Sequence, residues 1–333
     1  MRRKIALILT LAMALSAPVT AMAQHFNPVT STELIDPTTF TKPYEVNQVV
    51  VDADEATGQP RLEARTKSII EVDGLKFKDL NGNGQLDVYE DWRQDAETRA
   101  ADLVSQMTVR EKIAQMQHPT YLPRADGKIA PYLKNYCSEY GIGMLLIREL
   151  NSVEAAATTM NTIQEYAESS RLGVPVLVSM DSVHGLSYVS GATVTPHNLA
   201  LAATRDEALV TKLAEIARDE HLAVGVRMTL SPEADIASEP RWGRVMETFG
   251  EDPDLVTQMV TAQVVAFQNG RDGLNTGSIV ACMKHFPGAG PQMEGKDTSP
   301  IISSEETLQI HLKPYYAALE VNVASIMPYY SVP

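Results

Sequence analysis

The sequence predicts an α/β fold: a (β/α)8 barrel of the TIM type, incomplete at about five β/α units, behind an irregular N-terminal arm. Short, continuously apolar runs alternate with amphipathic helical stretches in the second part of the 333-residue chain. This alternation is typical of a parallel sheet buried on both faces. The Gly141-x-Gly143 pair is not a dinucleotide-binding fingerprint, because it precedes an apolar run instead of following one. A barrel therefore fits better than an open, doubly wound sheet.

The N-terminus has the features of a secretory leader. Basic residues at positions 2–4 precede an apolar run from Ile5 to Ala17, and Ala21-Met22-Ala23 forms a cleavage site. The run is shorter than the roughly 20 residues of a membrane-spanning helix. We expect cleavage after Ala23 (leader 1–23), a periplasmic or secreted protein, and no membrane span in the mature chain.

The composition restricts the partners. Hydrophobic residues make up 44% and charged residues 21%, as in globular proteins, and the formal net charge is -14. An acidic surface disfavours nucleic acid and anionic membranes and suits a neutral substrate. Two cysteines, Cys137 and Cys282, are too few for a disulfide scaffold, and Cys282 lies in an apolar run that predicts a buried free thiol.

Residues 24–94 form the predicted arm, which carries an EF-hand-like loop at 79–90. The ligand positions of such a loop are all filled, by Asp79, Asn81, Asn83, the Gln85 carbonyl, Asp87 and Glu90, with Gly84 at the sharp turn. An ordinary turn rich in Asp, Asn and Gly is the alternative, since only the exiting side has a helical pattern. We expect a structural Ca²⁺ rather than a sensor, and no cofactor for catalysis.

Residues 95–333 form the predicted barrel. The pattern from Asp91 to Met107 is helical, and Thr108 with Glu111 forms a capping box that begins another helix. The apolar runs predicted as strands are 142–147, 174–180, 227–230, 278–283 and 324–327. The helices predicted after the first four of these are 152–169, 206–222, 253–268 and 304–320.

Ionisable residues follow the predicted strands at their carboxyl ends, where barrels of this kind place their sites. Asp181 and His184 follow the second strand, and Lys284 and His285 the fourth. The third strand is followed by Glu233 and Asp235 and then by a loop that reaches Arg244. This rim is the candidate functional site.

Two chemistries suit these residue types. Metal-dependent hydrolysis would use His184, His285 and Asp181 as ligands, but HxH and HExxH spacings are lacking. Sugar binding uses carboxylates that accept hydrogen bonds from neighbouring hydroxyls, with Arg and Lys as donors, and this agrees better with the residues present. Trp242 is either a platform for a sugar ring or a packing residue.

Four ordered segments resemble the sequence blocks of glycoside hydrolase family 3. These are DSVHG (181–185), PHNLALAATRD (196–206), SPEADIASEPRWGRVMETFGEDPDLV (231–256) and KHFPG (284–288). The resemblance covers roughly residues 95–330. It implies a β-glucosidase-like enzyme that hydrolyses terminal non-reducing β-D-glucosyl or related β-glycosyl residues by a retaining mechanism, with an oligosaccharide or aryl β-glycoside as substrate.

The resemblance also implies roles for four residues. Asp181 matches the aspartate that holds sugar hydroxyls, and Arg244, Lys284 and His285 match residues that bind hydroxyls of the same ring. Each has a purely structural alternative: a helix cap for Asp181, an ion pair with Glu247 or Glu251 for Arg244, and burial without substrate contact for Lys284 and His285. His184 is interpreted as structural or as acting indirectly.

The chain departs from the family in two ways. The family's nucleophile is an aspartate after a later strand, and its general acid commonly comes from a following domain, so we expect both beyond Pro333. The N-acetylglucosaminidase branch has a histidine where this chain has Ala289, which favours the glucosidase or xylosidase side. The terminal IMPYYSVP (326–333) leaves the sugar open. The competing hypothesis is a non-catalytic carbohydrate- or calcium-binding fragment.

Overall fold

A computed structural model of the chain describes residues 48–123, 129–300 and 304–330. The predicted leader and residues 24–47 of the arm lie outside these ranges. Among the described residues, none of the helices combines the length and the apolar character needed to cross a membrane.

The described part of the arm begins with two antiparallel ribbons, so the prediction of an irregular arm was wrong for residues 49–79. Strands β1 (Val49–Val51) and β2 (Leu62–Ala64) pair with each other, and β3 (Ser68–Val72) pairs with β4 (Leu75–Asp79). The second ribbon turns at Asp73-Gly74, where both residues have positive φ. This is the two-residue turn that matches the twist of paired strands. Strands of three to five residues are too short to show a sustained period.

Six parallel strands form the main sheet, in the order of the chain from one edge to the other. They are β5 (Thr120–Tyr121), β6 (Met144–Ile147), β7 (Leu177–Met180), β8 (Met228–Thr229), β9 (Val280–Phe286) and β10 (Ser325–Pro328). The last five coincide with the five predicted apolar runs. Strand β5 was not predicted. A sequential order without reversal distinguishes this sheet from a doubly wound one.

Of the eight α-helices in the described residues, six begin at a side-chain cap that the sequence supplies. The eight helices are α1 (Ala96–Gln106), α2 (Val109–Gln115), α3 (Tyr132–Lys134, continued by a π-helical turn over Asn135–Tyr140), α4 (Val153–Glu168), α5 (Asn198–Thr204), α6 (Glu207–Val224), α7 (Pro253–Phe267) and α8 (Glu305–Glu320). The predicted capping box is confirmed, since Thr108 and Glu111 bond each other's backbone. Helix α1 begins at Ala96 instead of Asp91, because Asp95 is its N-cap. Helix α5 was not predicted.

The core lies between one face of the sheet and the helices. Leu145, Ile147 and Val178 pack with α4, whereas Ala281 and Met283 pack with residues of α6, α7 and α8. On the opposite face a smaller cluster joins Met228, Leu230 and Cys282 to half-buried apolar side chains of the neighbouring strands. The buried free thiol predicted at Cys282 is confirmed. Helices thus cover one face, and the other face is apolar but only partly enclosed.

The predicted α/β class with a parallel sheet is confirmed. Within the described ranges the sheet is open, with β5 at one edge and β10 at the other. Because all strands run in one direction, their carboxyl ends meet along a single rim. That rim carries the candidate site.

Candidate functional site

A cavity of about 380 Å³ lies at the carboxyl ends of the strands. All four predicted sugar-binding residues line it: Asp181, Arg244, Lys284 and His285. They come from three connections of the sheet, after β7, after β8 and at the end of β9. The fold therefore brings together side chains that are up to 104 positions apart in the sequence, between Asp181 and His285.

Asp181 is held between two cations. Its Oδ1 accepts from Lys284 Nζ at 2.7 Å, and its Oδ2 accepts from Arg148 Nη2 at 3.0 Å. The Lys284 side chain is 3% exposed and that of Asp181 21%. The alternative interpretation of Asp181 as a helix cap is wrong, because a loop without a helix follows it at 181–190. A carboxylate offers about four lone-pair sites, so two remain for a ligand.

Arg244 is fixed by two carboxylates. Its Nη2 lies 2.9 Å from Glu233 Oε2 and 2.7 Å from Glu247 Oε2, and its Nε donates to Glu247 Oε1 at 3.1 Å. Arg244 thus forms the ion pair with Glu247 that the structural alternative predicted, and it also lines the cavity. The bidentate contact holds the guanidinium in one plane.

His285 is oriented from both ring nitrogens. Nδ1 lies 2.8 Å from Asp235 Oδ2, and Nε2 lies 3.2 Å from Arg244 Nη1. Because an arginine can only donate, the arrangement places the ring proton on Nδ1 and a lone pair on Nε2. The Asp235 carboxylate also accepts from the backbone N–H groups of His285 and Ala289. Asp235 is fully buried and therefore acts as the anchor of this histidine.

The ligand trio considered for metal catalysis does not assemble in the described part of the chain. His184 packs its ring on His197, with centroids 4.1 Å apart, and its Nδ1 faces the Thr195 carbonyl. A different trio, Glu233, Asp235 and His285, brings ligand atoms within 4.8 Å of one another. The Arg244 guanidinium contacts two of its members and supplies positive charge at that point.

The electrostatics of this cluster separate its carboxyl groups. Burial, reinforced by the charge of Asp235, raises the pKa of Glu233 well above its ordinary value. Burial also opposes ionisation of Glu247, but hydrogen bonds from Arg244 and Glu233 overcome it and lower the pKa of Glu247 to about 2. Glu233 Oε1 is buried and has no hydrogen-bond partner among the described residues. Glu233 is therefore harder to ionise than an ordinary glutamate, and Glu247 beside it is easier to ionise.

Trp242 is a packing residue in this structure. It is 2% exposed and packs with Ala289 and Tyr329. Its indole N–H donates to Asp297 Oδ1 at 2.9 Å, and the Arg244 guanidinium lies 5.8 Å from its ring. The ring therefore supports the loop that carries Arg244 and offers no open face to a sugar.

Sequence reasoning missed several residues of the cavity wall, among them His118, Arg148, Asp297 and Tyr330. Arg148 directly follows β6, so the same position at a strand's carboxyl end would have identified it. His118 precedes the unpredicted β5, and its Nε2 lies 2.7 Å from Ser179 Oγ. Burial lowers the pKa of His118, so its ring is neutral at neutral pH.

The side chains of the EF-hand-like loop form hydrogen bonds within the loop. Asp79 accepts from the backbone N–H groups of Asn83 and Gly84, while Asp87 Oδ2 accepts from the amide side chains of Asn81 and Asn83 at 2.6 and 2.7 Å. Glu90 reaches back across the loop to the backbone N–H groups of Leu80, Asn81 and Asp87. Burial raises the pKa of Glu90, against these hydrogen bonds. The loop is rich in side-chain oxygen atoms, the ligand type that Ca²⁺ takes in proteins.

A second cavity, of about 430 Å³, lies where the arm meets α4 and the segment before β7. Its charged groups are largely paired with one another: Glu168 accepts from the backbone of Arg65 and Thr66, and Arg65 pairs with Glu165. These contacts fasten the arm to the main domain.

The residues that build the rim lie within a segment shared with a known family. The model of the glycosyl hydrolase family 3 N-terminal domain matches residues 108–332, which include all six strands of the main sheet and all four predicted sugar-binding residues. The chain belongs to glycosyl hydrolase family 3.

Similar proteins are found among both sequences and solved structures. The periplasmic β-glucosidase/β-xylosidase of Dickeya chrysanthemi is 40% identical over 298 residues, covering 83% of this chain and 45% of the relative. The β-glucosidase EmGH1 of Erythrobacter marinus is 31% identical with a TM-score of 0.65, covering 72% of this chain and 32% of that one. A mutant β-glucosidase of Listeria innocua in complex with laminaribiose is 31% identical with a TM-score of 0.61, covering 72% and 33%.

The family 3 chain spans less than half the length of these relatives. The segment matched by the family model contains the cavity, the two cations around Asp181 and the Arg244–Glu247 pair.

Proposed function

We propose that this family 3 chain binds the terminal non-reducing β-D-glucosyl, or a related β-glycosyl, residue of an oligosaccharide or aryl glycoside, in an enzyme that hydrolyses β-glycosidic bonds. The observation that carries the proposal is the meeting of Asp181, Arg244, Lys284 and His285 in one cavity. Support also comes from relatives named β-glucosidase and β-xylosidase.

Each side chain is suited to a hydroxyl contact. Asp181 keeps one lone pair on each oxygen beyond its two cation partners, which suits two neighbouring hydroxyls of a ring. Lys284 donates one of its three N–H groups to Asp181 and has two more. Arg244 Nη1 carries a second N–H besides the one that faces His285. The ring is thereby recognised by charge-assisted hydrogen bonds.

The proposed chemistry is a retaining double displacement, which needs a carboxylate nucleophile and a carboxylic acid about 5–5.5 Å apart. We assign neither role to a described residue of this chain. Asp181 is held between Lys284 and Arg148, and Glu233 is fully buried behind Arg244. Both positions suit a binding and supporting role.

The domain organisation and location are part of the proposal. We propose that the six strands belong to a (β/α)8 barrel over 95–333, preceded by an arm over 24–94. The apolar but half-buried face of the sheet opposite the helices suits a barrel interior. The leader-like residues 1–23 and the word periplasmic in the names of two relatives support a periplasmic or secreted protein.

A structural Ca²⁺ in the loop at 79–90 is also proposed. Asp79, Asn81, Asn83, the Gln85 carbonyl, Asp87 and Glu90 would hold it, and the ion would fix the junction of arm and main domain. It takes no part in the sugar chemistry.

Binding of monosaccharides tests the main proposal. Isothermal titration of D-glucose and D-xylose into the chain should give saturable heat for at least one of them. Asp181→Asn should weaken that binding about a hundredfold, because it removes charge-assisted hydrogen bonds. A chain that binds neither sugar, or an Asp181→Asn variant that binds as the wild type does, would contradict the proposal.

A further inference from the structure

Arg148 lines the cavity but is not one of the four residues proposed to bind sugar hydroxyls. It directly follows β6, and its side chain is 42% exposed. Its Nη2 donates a hydrogen bond to Asp181 Oδ2 at 3.0 Å. Its Nε is buried and has no hydrogen-bond partner in the described part of the chain. The guanidinium thus contacts Asp181 and lines the cavity.

The contact complements that of Lys284. Lys284 holds Oδ1 of Asp181 and Arg148 holds Oδ2, so each oxygen has one fixed donor. A carboxylate fixed at one oxygen can rotate about its terminal bond, whereas one fixed at both keeps a single plane. That plane decides where the two remaining lone pairs point.

The backbone fixes Arg148 relative to Asp181. The loop after β6 is joined to the loop after β7 by two backbone hydrogen bonds, from Leu150 N to the Tyr188 carbonyl at 2.7 Å and from Ser190 N to the Leu150 carbonyl at 2.9 Å. Leu150 and Val189 form a parallel bridge there. Both residues of the pair therefore stand on one connected rim segment.

We infer that Arg148 is a positioning residue of the sugar subsite, acting through Asp181 by holding its carboxylate in the plane that accepts two neighbouring hydroxyls. The inference rests on the proposed sugar binding. An arginine that merely stabilised the rim would not affect sugar affinity through Asp181, and one that contacted the sugar directly would act without Asp181.

A double-mutant cycle separates these roles. D-glucose is titrated calorimetrically into the wild type, Arg148→Met, Asp181→Asn and the double variant. Arg171→Met is the matched control, because Arg171 forms a similar surface pair with Glu111 and does not line the cavity. We expect Arg148→Met to weaken binding about tenfold or more and Arg171→Met to leave it unchanged. In the Asp181→Asn background, Arg148→Met should change the affinity less than about twofold.

Arg148→Gln is measured in parallel, so that the result does not depend on the folding of one variant. Wild-type affinity in both Arg148 variants would overturn the inference while the proposed function stands. An equal loss in both Asp181 backgrounds would overturn it in favour of direct sugar contact. A wild type that binds no glucose or xylose would overturn the proposed function and, with it, the subsite that Arg148 is inferred to position.

Discussion

Lys284 Nζ lies 2.7 Å from Asp181 Oδ1 although strand β8 separates the two strands that carry these residues. The lysine side chain is almost completely buried, so its charge depends on this carboxylate for compensation. The pair crosses the rim and links the loop after β7 to β9. It is at once a binding feature and a structural one.

Asp181→Asn should lower the free energy of unfolding by about 3 kcal/mol, because it leaves a buried cation without its partner. The measurement is urea denaturation followed by circular dichroism. Adding Lys284→Met should recover most of the loss, since the uncompensated charge is then removed. Stability equal to that of the wild type in Asp181→Asn would contradict a buried, charged Lys284.

The Glu233→Gln variant should become more stable relative to the wild type as the pH increases. The folded pKa of Glu233 lies above its ordinary value of 4.5 through burial and the charge of Asp235, against the opposing charges of Arg244 and Lys284. The native state therefore holds a proton that the unfolded state has lost, and the wild type loses stability as the pH rises above about 4.5 toward the folded pKa. Glutamine mimics the protonated acid and has no such dependence.

Denaturation midpoints of the wild type and Glu233→Gln between pH 4 and 8 test this. At pH 4 the two should agree within about 1 kcal/mol, because Gln keeps the acceptor for Arg244. The variant should gain on the wild type as the pH rises from about 4.5 toward the folded pKa. A difference that shrinks as the pH rises would show that Glu233 is ionised in the folded protein.

Gly290→Ala should prevent the loop after β9 from reaching its position. A Cβ at residue 290 would lie 1.6 Å from the Ile236 carbonyl oxygen, which is backbone and cannot move alone. We expect a loss of about 3 kcal/mol or more. Gly243→Ala is the matched control, since a Cβ there meets nothing within 4 Å. Equal melting temperatures for the two variants would contradict the close approach.

Ca²⁺ should raise the melting temperature of the protein. At a hundred times its dissociation constant, a ligand that binds only the folded state adds about 2.7 kcal/mol. Differential scanning calorimetry of chelator-treated protein, with and without CaCl₂, measures the effect. Glu90→Gln should abolish this effect, because Glu90 is the twelfth residue of the loop, and that position supplies the bidentate ligand. An identical melting temperature with and without Ca²⁺ in the wild type would remove the proposed site.

The sequence predicted the strands that are continuously apolar, because burial on both faces leaves a pattern in consecutive residues. It missed β5, whose two residues stand between Pro119 and Pro123 and have no apolar run around them. The arm's second ribbon was also missed, although Asp73-Gly74 is a turn signal, since its strands are half exposed and mixed in composition.

Position at the end of a strand and the resemblance to family 3 together placed Asp181, Arg244, Lys284 and His285 at one rim, and the structure has all four in the wall of one cavity. Which of them pair was not predictable, because Lys284 and Asp181 are 103 residues apart and their contact depends on the strand order. Arg148 was within reach of the same reasoning. The raised pKa of Glu233 was not, since it arises from burial and from the three-dimensional proximity of Asp235.

The sequential strand order has a kinetic consequence. Each strand can pair with its predecessor as a β/α unit is added, but the contact of Asp181 with Lys284 requires three successive strands in register and closes a loop of about a hundred residues. Sugar affinity should therefore appear late during refolding, after most helical structure has formed. Sugar binding during refolding would show when the rim is complete, whereas circular dichroism shows only when helices and strands form.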